Sequence, residues 1–432
     1  MRISINAFLS PERNTPFAIF AMVATMFFIA YAQVFGSVFI LLFYVVWLPL
    51  LAMDPRAVIG DPRPLYWIVA FSIFACLSFF WSAVPGLSLR GGLQYFSTIV
   101  CALVAARVVP VKAMILGMSL GASLVLLYSL LFGHFSYDPL DGVYSFIGAF
   151  ASKNQLGMFA ALGVFASFSL VFILQVQTMW RILALMSGAF GAFSLHAAQS
   201  ATSTITIAAT IAATVAAVFL KQFSPRHRMV LFLSIVPTAA VALLIALSAG
   251  LFGAILGIFG KDATLTGRTY LWQRGLEIAH EQPVFGIGFQ GFWVQGFSQP
   301  EVLWQQFYIA SRTGFHFHNT YIETMVELGY IGLVLLGTII LGLLAGYIRR
   351  LLSSGARNED VVLFGLIILF VSRSFFEVDF LNQYTIGSFL IYYCAGALAK
   401  PVAGTAGNAL VEYYPQFADS EGFHVPRRGG LG

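Results

Sequence analysis

The sequence predicts an all-α integral membrane protein of about twelve transmembrane helices, with one long external loop that carries short helices of its own. Three observations predict this. Of 432 residues, 59% are hydrophobic and 9% are charged, whereas a soluble domain carries about 25% charged residues to face water. Apolar runs near the roughly 20 residues that cross a bilayer recur along the chain. Lys and Arg concentrate in alternate connections between those runs.

The apolar segments fall near residues 16–33, 37–53, 65–82, 92–109, 112–132, 154–175, 180–197, 203–220, 229–252, 319–348, 360–378 and 383–400, with Ser and Thr interrupting the pair within 180–220. The first run lacks a short h-region with a small-residue exit site, so it reads as a retained anchor. With the N-terminus in the cytoplasm, the external connections hold only Arg90, Lys153, Lys261, Arg268, Arg274, Arg312 and Arg373 of the 23 Lys and Arg. Both termini then lie inside. The organisation is an N-terminal bundle of about nine spans (1–252), a large periplasmic loop (253–318), C-terminal helices (319–400) and a polar cytoplasmic tail (401–432). The net charge of +5 is spread in pairs between apolar runs, which argues against a nucleic-acid partner. Cys76, Cys101 and Cys394 sit within apolar runs, without metal-ligand spacing or a disulfide framework.

A loop as long as 253–318 is usually functional. Thr266 to Glu281 has a capping Thr, a helical rhythm and a stop at Pro283, and reads as a short helix. Pro283 to Trp293 (PVFGIGFQGFW) suggests tight turns, with Phe285, Phe289, Phe292 and Trp293 read as an interfacial belt in preference to a sugar-stacking surface. Glu301 to Arg312 reads as a second amphipathic helix. The loop ends in Phe315-His316-Phe317-His318-Asn319. His318 is expected at the N-terminus of a transmembrane helix, where the dipole disfavours the imidazolium and favours the neutral form a general base needs; the alternative is a helix cap or an interfacial ring. Gly329 and Gly332, one turn apart, are expected to let helices pack closely.

His318-Asn319, nine residues, then Gly329-Tyr-Ile-Gly332 resembles the signature of the O-antigen ligase and polymerase family, Wzy and WaaL type. Thr266-Gly267-Arg268-Thr269-Tyr270-Leu271-Trp272 resembles the family's Arg-containing segment. Pro283 with Gly286 and Gly288 resembles its Pro-x-x-Gly-x-Gly turn, and Trp81-Ser82 to Arg90 its Trp-Ser segment. Phe150 to Gly157 (FASKNQLG) is similar to the Lys-Asn segment of the exopolysaccharide-polymerase branch. The resemblance covers about residues 80–360. It implies a GT-C-like inner-membrane glycosyltransferase acting at the periplasmic face on undecaprenyl-diphosphate-linked oligosaccharides. It also implies inverting transfer without a nucleotide sugar, a cofactor or a required metal, and a chain-length copolymerase and a flippase as partners.

On this reading His318 activates the acceptor hydroxyl. Arg268 is the first choice for the diphosphate, since a planar guanidinium grips phosphate oxygens in pairs. Arg90 and Lys153 come next, and Arg274, about 120° away from Arg268 on the helix, is weaker. Arg312 and Lys261 read as anchors. Asn319, Asn154 and His316 are supporting residues. Arg373, Glu377 and Asp379 form a charged cluster at the outer end of the eleventh span. There Arg373 and Glu377, one turn apart, are expected to pair with each other; the alternative is that Glu377 orients Arg268 or His318. A zinc site from His316, His318, Glu323 and Glu327 is set aside, because the glutamates would have to reach back outward. The leading function is polymerisation of lipid-linked repeats into exopolysaccharide or O-antigen. A ligase that transfers the chain to lipid A core is second. A transporter of lipid-linked sugars is third, since it would carry charges along a path within the spans.

Overall fold

The computed structural model describes residues 9–11, 13–55, 63–138, 142–250, 253, 257 and 267–400. Expectations for Arg2, Arg56, Lys261, Thr266, Arg427, Arg428 and the tail 401–432 lie outside the described residues. In order the helices longer than one turn are α1 (Thr15–Ala30), α2 (Ser37–Met53), α3 (Tyr66–Leu77), α4 (Pro85–Val108), α5 (Val111–Phe132), α6 (Lys153–Phe168), α7 (Thr178–Ala198), α8 (Ala201–Leu220), α9 (Pro225–Ser248), α10 (Arg268–Glu281), α11 (Ser298–Gln306), α12 (Thr320–Leu352), α13 (Asn358–Ser374) and α14 (Ile386–Leu398). Each of the twelve apolar segments of the sequence falls on one of them. Among the described residues, seven helices are long and apolar enough to cross a membrane, and α1, α2, α14 and the segment Tyr66–Phe80 are shorter apolar helices.

A helix satisfies its backbone groups within one segment, which suits lipid, where no water is present to bind a free N–H or C=O. Their starts carry local signals. Pro85 opens α4, where its missing N–H costs nothing. Ser152, Ser200 and Thr385 cap α6, α8 and α14 with side-chain oxygens. The core lies where α1 packs on α5, α6 on α5 and α7, α4 on α3 and α14, and α13 on α8 and α12. By contrast, no residue of the apolar window of α9 is buried in the protein.

The helix ends sort into two faces. On one, the Arg228 guanidinium donates to the carbonyls of Lys221, Phe223, Leu351 and Ser353, and Arg350 pairs with Asp360 and donates to the carbonyl of Leu398. Asn358 binds Lys221 and the Ile173 carbonyl on that same face. These are the connections in which the sequence concentrates Lys and Arg. The opposite face is built from α10, α11, the loop after α13 and a feature absent from the sequence expectation, the antiparallel hairpin of β1 (His134–Asp138) and β2 (Val143–Gly148). A second small core holds this layer together, with Leu271, Ile278, Phe292, Leu303, Phe307, Phe317, Ile322 and Val326 buried against one another.

Two expectations for the loop need correction. Phe289 and Phe292 are not an interfacial belt. They are 0% and 2% exposed, Phe289 against Tyr95 and Phe292 against Phe317, because the Gly-rich turn folds inward rather than lying flat. Only Phe285 of that set is exposed. The second short helix is Ser298–Gln306, and Phe307 to Arg312 continue it as turns.

Gly329 and Gly332 also act differently from expectation. Gly329 has φ +63° and ψ −164° inside α12 and breaks it into a short helix, 320–328, and a longer one that follows. The break admits the Gly-rich turn: Tyr330 N–H donates to the Pro283 carbonyl at 2.7 Å and Gly288 N–H to the Glu327 carbonyl at 2.9 Å. A Cβ on Gly329 would strike the Val284 carbonyl, and one on Gly332 would strike Leu328. The pair therefore serves a chain break, not a helix–helix contact. Gly329→Ala is expected to lower stability by about 2 kcal/mol or more, from the left-handed backbone and the lost close approach, read as a lower unfolding temperature of the purified protein.

Candidate active site

The site begins with the chain leaving α11. His318 takes a left-handed backbone, φ +51°, and its N–H donates to Nδ1 of His316 at 3.0 Å. The two rings stand 4.2 Å apart. Asn319 then caps α12, its Oδ1 accepting the N–H groups of Tyr321 and Ile322 at 3.0 and 3.1 Å. Its Nδ2 donates to the Phe375 carbonyl at 3.2 Å, and Thr320 Oγ1 donates to the Glu377 carbonyl at 2.7 Å. Residues 318–320 are thus stitched to the loop that follows α13.

That loop delivers Glu377. The helix ends at Ser374, so Glu377 stands beyond the span rather than inside it. The carboxylate is 4% exposed. Its Oε1 accepts Nη2 of Arg268 at 2.8 Å and Nδ2 of Asn154 at 2.7 Å, and its Oε2 lies 3.3 Å from His318 Nδ1. Arg268 opens α10 after Gly267, which has φ +79°, and Nη1 donates to the Phe376 carbonyl at 2.8 Å. Asn154, second residue of α6, accepts from Ser200 Oγ at 2.9 Å. One carboxylate therefore joins the imidazole, the guanidinium and an amide delivered by three separate segments. The expected pairing of Arg373 with Glu377 is not formed. Arg373, fully buried, pairs with Asp379 and donates to Ser203 Oγ at 2.8 Å, because the loop carries Glu377 out of reach of its own helix and towards Arg268.

The electrostatics follow from this geometry. Burial pushes the Glu377 carboxyl up, but Arg268, then His318 and His316, outweigh it and hold the group well below the usual carboxylate range. Burial, then the neighbouring His318, pushes His316 down to about 3, which leaves it a neutral ring able to accept the His318 N–H. A carboxyl lowered in the folded state contributes stability in full above its unfolded value and loses it as pH falls through the folded one. The stability difference between the protein and its Glu377→Gln variant should therefore stay level from about pH 8 to about pH 5 and close below about pH 4, as read by thermal unfolding at each pH.

The other candidates are distributed as follows. Lys153 opens α6 and pairs with Asp138 of the hairpin at 3.1 Å. Arg90 is exposed on α4, beside Gly91, whose absent side chain makes room for Gln290. Arg274 is not brought to the cluster: it is half-buried and pairs with Glu277 on its own helix. Arg312 pairs with Glu301 at 3.2 Å on the surface. Glu323 and Glu327 do not meet the histidine rings: Glu323 accepts from Trp293 and the Phe317 N–H, and Glu327 faces the Gln290 backbone. The third group near the histidines is Glu377, with donor atoms of His316, His318 and Glu377 within 4.8 Å of one another. A cation there would compete with Arg268 for the same carboxylate. Sequence reasoning missed Ser200 and Thr320; each was signalled by position, Ser200 as the capping residue ahead of an apolar run and Thr320 directly after His318-Asn319. The Trp81-Ser82 segment docks the Gly-rich turn, through Trp81 Nε1 to the Phe285 carbonyl at 3.1 Å.

Comparison with known proteins agrees with this architecture. The O-antigen ligase family pattern matches residues 187–337, a stretch that includes Arg268, His318 and Gly329. Over 410 residues the chain is 49% identical to the exopolysaccharide production protein ExoQ of Rhizobium meliloti (strain 1021), covering 95% of this chain and 94% of that protein. That alignment extends across the segments that supply Asn154 and Glu377. The chain belongs to the O-antigen ligase and polymerase family and stands with its ExoQ-type exopolysaccharide-production members.

Proposed function

We propose that this chain polymerises undecaprenyl-diphosphate-linked oligosaccharide repeats into exopolysaccharide at the periplasmic face of the inner membrane. The observation that carries the reading is Glu377, whose two oxygens hold a general-base candidate on one side and a phosphate-binding candidate on the other. With His318 Nδ1–H turned to the carboxylate, Nε2 is left as the acceptor for a proton. The acceptor hydroxyl gives its proton to Nε2 as its oxygen attacks the anomeric carbon. The bond from that carbon to the diphosphate breaks, and the diphosphate leaves with the electron pair. Inversion follows from a single displacement. Arg268 uses two of its five N–H donors on Glu377 and Phe376, so three remain for the departing oxygens, where a fixed cation stabilises developing charge. Arg90 and Lys153 stand as further cations for the donor, and a copolymerase and a flippase as partners.

A deletion strain tests the reading. Loss of all high-mass polymer while single lipid-linked repeats still accumulate supports a polymerase; full-length chains left on the carrier lipid would assign the ligase reaction instead. Sidedness is tested separately. Thr313 is exposed on the face of the site and Ser224 on the opposite face. A cysteine at 313 should react with an impermeant reagent added to intact spheroplasts, and one at 224 should react only after lysis; the reverse pattern would reject the orientation.

A further inference from the structure

We propose that Glu323 is a positioning residue for His318, acting through the backbone that leads into it; the inference rests on the general-base reading above. Glu323 lies one turn into the short helix 320–328 and is 4% exposed. Its Oε2 accepts the Phe317 N–H at 2.7 Å, and its Oε1 accepts Trp293 Nε1–H at 2.8 Å. Both bonds run from an N–H to a carboxyl oxygen, and together they favour the ionised form. The Phe317 carbonyl accepts Trp272 Nε1–H at 3.0 Å, and the His318 N–H is held by His316. Three consecutive backbone polar groups are therefore each bound by a side chain. The Phe317 ring is fixed as well, fully buried with its centroid 5.1 Å from Phe292 and 4.9 Å from Trp293.

This anchoring explains how His318 keeps its backbone. A non-glycine residue at positive φ lies in a sparsely populated region and persists only where its surroundings over-determine it. Here they do, and the result is an imidazole aimed at Glu377 rather than along the helix. The chemistry selects a carboxylate at position 323, because two N–H donors point at its two oxygens. An amide could face only one of them and would turn its own NH2 onto the other. Placement of a base to within a fraction of an ångström governs rate more than substrate affinity.

The test uses the purified full-length protein with a lipid-diphosphate-linked oligosaccharide as donor. Glu323→Gln is expected to lower kcat per folded molecule by at least about tenfold while the donor KM stays within about twofold. Glu323→Asp, which keeps the carboxyl group but cannot reach both donors, is expected to show the same split more weakly. A kcat within about threefold of the parent, or a loss carried by KM, would overturn the proposal. So would failure of both variants to fold, which would make Glu323 a folding determinant. Unimpaired turnover by His318→Ala would instead overturn the general-base reading, so the two failures are distinguishable.

Discussion

Replacement of His318 by Ala is expected to abolish polymer synthesis, lowering kcat by about 10² to 10⁴ while the protein still inserts at its normal level. The imidazole is only partly buried, so its removal opens no deep cavity in the apolar core. Its loss does unbalance Glu377, whose Oε2 faces only His318 among the described residues, but Arg268 and Asn154 remain on Oε1. The effect should therefore fall on the reaction and spare the fold. The measurement is turnover of a lipid-linked donor by purified protein, alongside its unfolding temperature. Synthesis at a tenth of the parent rate or more would remove His318 from the role of base.

Replacement of Arg268 should be almost as damaging, and in a different way. Removing one fixed donor from a transition-state charge site costs about 10² to 10³ in rate. Arg268→Ala also strips the cation from a buried carboxylate, and breaking such a pair destabilises by about 3–5 kcal/mol. Arg268→Lys separates the two effects. An ammonium can reach Glu377 as a point charge and restore stability, yet it lacks the planar fork that donates to Glu377, the Phe376 carbonyl and phosphate oxygens together. The expected result is a Lys variant of near-parent unfolding temperature with turnover still at least about 100-fold down. A Lys variant with parent activity would show that charge alone suffices.

The parts of this architecture that a sequence reader can see are those set by neighbours along the chain. Hydrophobic runs found the helices because crossing lipid needs length and little else. The helix at 268–281 was legible from its rhythm and its stop at Pro283, and the cluster of Lys and Arg marked one face. What was not legible depends on chain segments meeting. Arg373 and Glu377 look like a pair at helical spacing, and only the end of α13 at Ser374 sends them to different partners. Glu377 meets Asn154 across 223 positions, a distance over which no local pattern operates. The two glycines of the signature look the same whether they serve a helix contact or a break; the approach of Val284 decides. The hairpin at 134–148 was hidden because its aromatic residues blend with the apolar runs on either side.

The break at Gly329 also sets a depth. Residues 330–352 at 1.5 Å each extend about 34 Å, slightly more than the roughly 30 Å of hydrocarbon in a bilayer. The second piece of α12 can therefore cross unaided, and the nine residues before it, with His318 above them, stand clear of the oily interior. With that helix upright, the imidazole and guanidinium would stand outside the hydrocarbon, on the headgroup side. A lipid carrier anchored by its tail would present its phosphates at that height and its sugars to the water above, so the substrate need not be lifted out of the leaflet to react.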